Sequence, residues 1–275
     1  MAMDAAPSTL DSYVALGDSF TEGLHDDLGP DGRHRGWADR LAEGLATANG
    51  RVRYANLAIR GRLLDQVVAE QVPLALSLKP ALVSFHAGAN DILRPGVEVS
   101  RLLATFEETV VRLRENGSQV LLFSTGGPPR DVNRPARSTG RLVSRFSAFS
   151  TCIRRVADQH GCALADTGAY PSLLDRRLWH EDRLHLTPEG HARVAAAALE
   201  ALGLDDPSLL AGNPGWWQEA LPAKISHGRV SELAGDLRWA RTFLLPWVGR
   251  RLRGVSSGDA LLPKRPDLVE IVAQR

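Results

Sequence analysis

The chain has 275 residues, 44% of them hydrophobic and 24% charged, with a formal net charge of +1. That balance fits one substantial core plus an appendage and gives no global field for nucleic acid or an acidic partner. No apolar stretch approaches the roughly 20 residues needed to cross a bilayer, and the excess of arginine over lysine is a codon-bias signature rather than a functional one.

Met1 to Asp11 carries neither a basic n-region nor an apolar h-region, so no secretory signal is expected there. Cys152 and Cys162 lack CxxC spacing and read as reduced structural thiols, which makes a cytoplasmic location the expectation. Residues 1–11 read as a tail.

From there short β-rich runs alternate with longer helical ones. Tyr13 to Leu16 predicts a buried strand ending at Gly17, and Trp37 to Ala46 a helix with Trp37, Leu41 and Leu45 on one face. Val52 to Ala58 is a second strand. Leu63 to Leu78 has a helical pattern broken near Pro73, and Ala81 to His86 is a third strand ending at Gly88. Val97 to Asn116 predicts a long amphipathic helix stopped by Asn116-Gly117. Gln119 to Phe123 is a fourth strand. A helix from about Arg141 to His160 leads to a fifth at Cys162 to Ala165, and Thr187-Pro188 opens a last helix through Leu202.

Five strands alternating with helices imply parallel pairing by right-handed crossovers, hence a doubly wound sheet over residues 12–204. In such sheets ligands bind beyond the carboxyl ends of the strands, so site residues are expected to follow strands. Residues 205–275 lose the alternation, keep one good helical stretch at about Val230 to Phe243, and read as an extension packed on or near that domain.

Four segments carry chemistry. Ser19, in Gly17-Asp18-Ser19-Phe20, follows the first strand, where a hydroxyl projects into the crevice and a base can reach it; an ordinary turn with serine as a helix cap reads the same way. Gly61 follows the second strand and lets a backbone N–H approach a substrate. Asn90, in Gly88-Ala89-Asn90-Asp91, follows the third and offers an amide donor that does not titrate. Asp182, three residues before His185, can hydrogen-bond its Nδ1 and leave Nε2 free as a general base.

Ser19, Gly61, Asn90 and the Asp182–His185 pair resemble, in order and over about residues 12 to 200, the four signature blocks of the SGNH hydrolases, also called GDSL-type esterases and lipases. His185-Leu186-Thr187-Pro188-Glu189-Gly190-His191 matches the last block's continuation. Phe20 departs from the leucine of the family name and keeps its hydrophobic character. The resemblance implies a flavodoxin-like α/β/α fold around a five-stranded parallel sheet. It implies Ser19 as nucleophile, His185 as base, Asp182 as its orienting carboxylate, and an oxyanion hole from the Ser19 and Gly61 N–H groups and the Asn90 side chain. The implied reaction is hydrolysis of a small-molecule carboxylic ester through an acyl-enzyme, without metal or other cofactor. An acyltransferase sharing that acyl-enzyme, or a binding protein on the same fold, are the alternatives.

Around these residues, Asp18 and Asp91 are expected to make local hydrogen bonds beside Ser19 and Asn90. His191 is expected to pack or cap, and His25 with Asp26 and Asp27 to form a solvated loop rather than a metal site. Thr21 to Arg35 is expected to form one wall of the substrate pocket, with Gly127 to Arg130 on its rim. The extension holds Trp216, Trp217, Trp239, Trp247 and an arginine cluster at 250–253. Tryptophan beside arginine suits an anionic membrane surface, but without a clean amphipathic period the preferred reading has the tryptophans packing the extension onto the body.

Overall fold

Strand β1 (Ser12–Gly17) is buried along its whole length, as a central parallel strand must be when helices cover both faces of its sheet. Its residues alternate between the two faces. Tyr13 and Ala15 join the core on one side and Val14 and Leu16 the core on the other, following the period of two of an extended chain. The computed structural model describes residues 10–127, 129, 140–210, 212–222, 235–253 and 255–273. Cys152 and Cys162 are both free, and no described helix is long and apolar enough to cross a membrane.

Four more parallel strands follow: β2 (Arg51–Asn56), β3 (Leu82–His86), β4 (Gln119–Phe123) and β5 (Ala163–Ala165). The sheet runs β5-β4-β3-β1-β2, so the winding reverses between β1 and β3. That reversal opens a crevice at the carboxyl ends of these two strands. After the short α1 (Ser19–Glu22) comes α2 (Gly36–Asn49), which with the last helix, Pro188–Ala201, covers one face. Helices α3 (Leu64–Glu70), α4 (Val72–Leu78), α6 (Val99–Glu115) and α7 (Arg141–Gln159) cover the other, and α5 (Ala89–Ile92) is a single turn after β3. The Pro188–Ala201 helix, α8, starts as its sequence predicts, with the Thr187 hydroxyl accepting from the Gly190 N–H.

The Leu63–Leu78 run breaks beside Pro73 as expected, into two helices separated by Gln71, whose side chain is buried. One difference from the sequence reading matters. The sheet has six strands, not five: β6 (Arg265–Val272), from the extension, pairs antiparallel with β2. Its residues are mostly exposed on both faces, so it lacks the in-out alternation that identifies a half-buried strand. Pro266 near its start fits an edge position, where a missing N–H costs no ladder bond.

The rest of the extension also returns to the body. Trp217 is buried, Arg193 of α8 donates to the carbonyls of Trp217 and Glu219, and its guanidinium lies over the Trp216 ring at 5.4 Å. The described part of the expected Val230–Phe243 helix runs on to residue 252, with a wider π turn at Ala240–Leu244.

Just before β6, the Lys264 ammonium reaches the carbonyls of Glu22 (2.7 Å), His34 (2.9 Å) and Arg35 (3.1 Å) and the Asp39 carboxylate (2.5 Å). Burial pushes the Asp39 carboxyl up to about 6 even though Lys264 pulls against it. Removing the cation leaves a buried carboxylate and three carbonyls without it. Lys264→Met is therefore expected to lower unfolding free energy by ~3 kcal/mol, measured by urea denaturation; a loss below ~1 kcal/mol would show that the contact is not holding the extension.

Candidate active site

The turn after β1 is fixed from several directions. Gly17 has φ +154°, and a Cβ there would come within 2.4 Å of the His86 carbonyl oxygen and 2.5 Å of the Thr21 hydroxyl. The Gln71 side chain brackets the same residue, accepting from the Gly17 N–H (2.9 Å) and donating to its carbonyl (2.8 Å). Asp18 then caps α1 by accepting from the Phe20 N–H, which leaves Ser19 as the first residue of that turn. Phe20 packs between Trp37 and His86, with ring centroids 5.6 and 4.3 Å away. Sequence reasoning passed over Gln71, which carries no motif; its signal is a polar residue between two apolar helical runs.

The opposing loop is equally tight. His180 donates its N–H to the His185 carbonyl (2.7 Å), Trp179 and Leu186 form an isolated antiparallel bridge, and Arg183 turns the chain at φ +60°. Inside it, Asp182 accepts from the backbone N–H groups of Leu184 and His185 and stands 2.6 Å from His185 Nδ1. An ionised carboxylate only accepts, so Nδ1 carries the proton and Nε2 presents a lone pair. Nε2 lies 2.9 Å from Ser19 Oγ, across 166 residues of sequence. Burial works to raise the Asp182 carboxyl, but the His185 contact and the two backbone donors outweigh it and hold it well below the usual carboxylate range.

Asn90, at the start of α5, faces the same crevice. Its Nδ2 donates to Asp18 Oδ2 (2.9 Å) and to the Arg62 carbonyl (3.1 Å). Asp91 bonds its own backbone N–H beside Asn90 and also accepts from the Leu64 N–H at 3.0 Å, which anchors the start of α3. Gly61 has φ +77° in the loop after β2, and a Cβ there would fall 2.1 Å from the Ser256 hydroxyl of the extension. Glu22, at the end of α1, holds this loop by accepting from the Arg60 N–H at 2.7 Å. Ser19, His185, Asp182 and Asn90 line one cavity, and Gly61 is not among its lining residues.

Two further expectations meet the structure differently. His25 is not in a solvated loop. Its Nε2 lies 3.3 Å from Asp182 Oδ2 and its ring stacks on His180 at 3.7 Å, so the carboxylate has a second imidazole beside it. His25, Asp182 and His185 stand close enough to hold a metal ion between them, although binding there would compete for the carboxylate that accepts from the His185 Nδ1–H. Thr21 to Arg35 does not wall the cavity; that loop is tied away from it by Asp26–Arg40 and Lys264. Gly127 and Pro129 do line it, while Arg130 lies outside the described residues. His191 packs as expected, accepting from the Trp37 N–H (3.3 Å) and bonding the Leu24 carbonyl (3.0 Å).

A serine, an imidazole and a carboxylate thus stand in hydrogen-bonded series at the switch point of a doubly wound sheet. The family model described as "GDSL-like Lipase/Acylhydrolase family" matches residues 15–193. The chain belongs to this family. Membership makes it a carboxylic ester hydrolase by class. It is 28% identical to Esterase TesA of Pseudomonas aeruginosa over 148 residues, 54% of this chain and 69% of that one. Among solved structures it resembles LAE5, an alpha/beta hydrolase enzyme from the metagenome of Lake Arreo in Spain, at 25% identity and TM-score 0.58, covering 70% of this chain and 95% of that one. The fold is also that of Axe2, an acetylxylan esterase from Geobacillus stearothermophilus, at 18% identity and TM-score 0.57, covering 70% and 94%.

Asp18 sits under this esterase site as a buried carboxyl pushed up to about 6, chiefly by burial and also by Asp91 and Glu22, against the pull of the Phe20 N–H and His185. Its value in the fold lies above its unfolded value, so the folded state holds the proton longer. Stability from this group is full below about pH 4 and is lost as pH rises through about 6. Asp18→Asn removes the charge and keeps one of the two acceptors, a loss that is the same at every pH. Its stability relative to the parent is expected to rise by up to ~3 kcal/mol between pH 4 and pH 7 in denaturant titrations; a flat difference would contradict the assignment.

Proposed function

We propose that the chain hydrolyses a small-molecule carboxylic ester through an acyl-enzyme on Ser19. The observation that carries this reading is the relay of short contacts, Asp182 to His185 Nδ1 at 2.6 Å and His185 Nε2 to Ser19 Oγ at 2.9 Å. His185 Nε2 takes the hydroxyl proton as Oγ bonds to the ester carbonyl carbon, and Asp182 stabilises the imidazolium that forms. The carbonyl π electrons move to oxygen. As they return, the bond to the alkoxide breaks, and Nε2 hands its proton to the departing alcohol. A water then repeats the sequence on the acyl-enzyme, releasing the carboxylic acid and restoring Ser19.

The developing oxyanion is met by the Ser19 N–H and the Asn90 amide, which line the cavity, with the Gly61 N–H as the third donor that the family resemblance implies. The Asn90 contact to the Arg62 carbonyl is the one exchanged for the oxyanion, while Asp18 keeps the amide oriented. Glu22 supports the Gly61 donor by tying the Arg60 N–H to the helical turn that carries Ser19. No step needs a metal or cofactor. Two free cysteines support a reducing compartment, in keeping with the cytoplasmic location expected from sequence.

Ser19→Ala removes the attacking oxygen without disturbing the packing around Phe20. It is expected to lower kcat on p-nitrophenyl esters by at least about 10⁴-fold with the thermal midpoint kept. A variant retaining the parent rate would end the proposal.

A further inference from the structure

The cavity beside Ser19 encloses about 530 Å³. A methylene takes up about as much room as a water molecule, ~30 Å³, so an acetyl group would leave most of this space unfilled. The walls are largely carbon. Leu142, Phe146 and Leu174 come from the α/β body, and Trp239, Phe243 and Trp247 come from the extension. A sugar ring would ask for a set of hydrogen-bonding side chains; Ser124 and Thr167 on this lining are already bonded to Asp166 and to the Ser124 carbonyl, and most of the remaining surface is aliphatic and aromatic.

The second wall lies outside residues 15–193, the stretch that matches the family model. It also sits in a fixed place. Trp239 Nε1 donates to the Asp182 carbonyl at 2.9 Å, its ring lies under the Arg183 guanidinium at 4.6 Å, and Arg183 in turn pairs with Asp236. These contacts dock the helix on the very loop that carries Asp182 and His185. Residues 239, 243 and 247 are four apart, and on an α-helix each such step overshoots a full turn by ~40°. The wider π turn at Ala240–Leu244 falls between them and takes up that overshoot, keeping all three on the cavity side. The outward face is marked by Leu237 and Leu245, 73% and 62% exposed.

We infer that residues 235–252 form the specificity wall of an acyl pocket, and that the substrate is an ester of a long aliphatic acyl chain. The inference rests on Ser19 being the nucleophile. The chain runs from the acyl carbon at Ser19 between Phe146 and Leu174 on one side and Phe243 and Trp247 on the other. Each methylene it buries adds about fourfold to kcat/KM.

The test is a chain-length series of p-nitrophenyl esters, from acetate through butyrate to octanoate, with the full chain, Ser19→Ala, Phe243→Ala, Trp247→Ala and the outward-facing control Leu245→Ala. The parent is expected to favour octanoate over acetate by at least about tenfold in kcat/KM. Phe243→Ala and Trp247→Ala lower that ratio at least about fivefold, and Leu245→Ala leaves it in place. Ser19-dependent hydrolysis that is flat or falls with chain length overturns the inference and leaves the esterase reading standing. A ratio that survives in both wall variants, with their melting midpoints kept, overturns the role of the extension. Should the wall variants melt early, the parent's own profile still decides the substrate class. Hydrolysis that persists in Ser19→Ala, or none in the parent, instead removes the reading on which the inference rests.

Discussion

The contact between His185 Nε2 and Ser19 Oγ joins the first strand of the sheet to a loop that closes 166 residues later, and much of the molecule can be understood as holding that distance. A hydrogen bond tolerates a few tenths of an ångström. Both ends are therefore clamped by backbone contacts rather than left to side-chain packing. Gln71 and the close approach of His86 fix Gly17, and the bridge between Trp179 and Leu186 fixes the loop. Two cores on opposite faces of the sheet keep the two clamps in register.

Electrostatics around this contact follow from depth. Asp182 is half buried but surrounded by donors, so it stays ionised and can orient and charge-balance His185. Asp18 has a backbone donor and the Asn90 amide, yet its burial dominates and its carboxyl is harder to ionise. The two aspartates beside Ser19 and His185 thus have opposite tendencies, because one sits among compensating N–H groups and the other is fully buried with Asp91 and Glu22 nearby.

The helix–strand alternation was legible from residue patterns alone, since parallel strands buried on both faces read as continuous apolar runs. Three of the four short motifs follow a strand that the pattern had located, and the fourth precedes the last helix. What escaped has a common physical character. Gln71 and Lys264 act through hydrogen bonds to backbone groups far away in sequence, which no local period encodes. β6 is an exposed edge strand with little alternation to read. His25 reaches Asp182 only because the loop after α1 folds back, and the cavity's second wall comes from a helix whose inward residues are spaced by a π turn rather than by 3.6.

The extension is thus part of how the site is shaped, with Lys264 tying one end beneath α1 and Trp239 bonding the loop of Asp182 at the other. The most direct test of the central claim, a Ser19 hydroxyl activated by His185, is mass-spectrometric mapping after reaction with a fluorophosphonate. A single covalent adduct is expected on the peptide containing Ser19, formed at a rate that falls sharply in His185→Ala. An unreactive protein, or an adduct on a different serine, would contradict it.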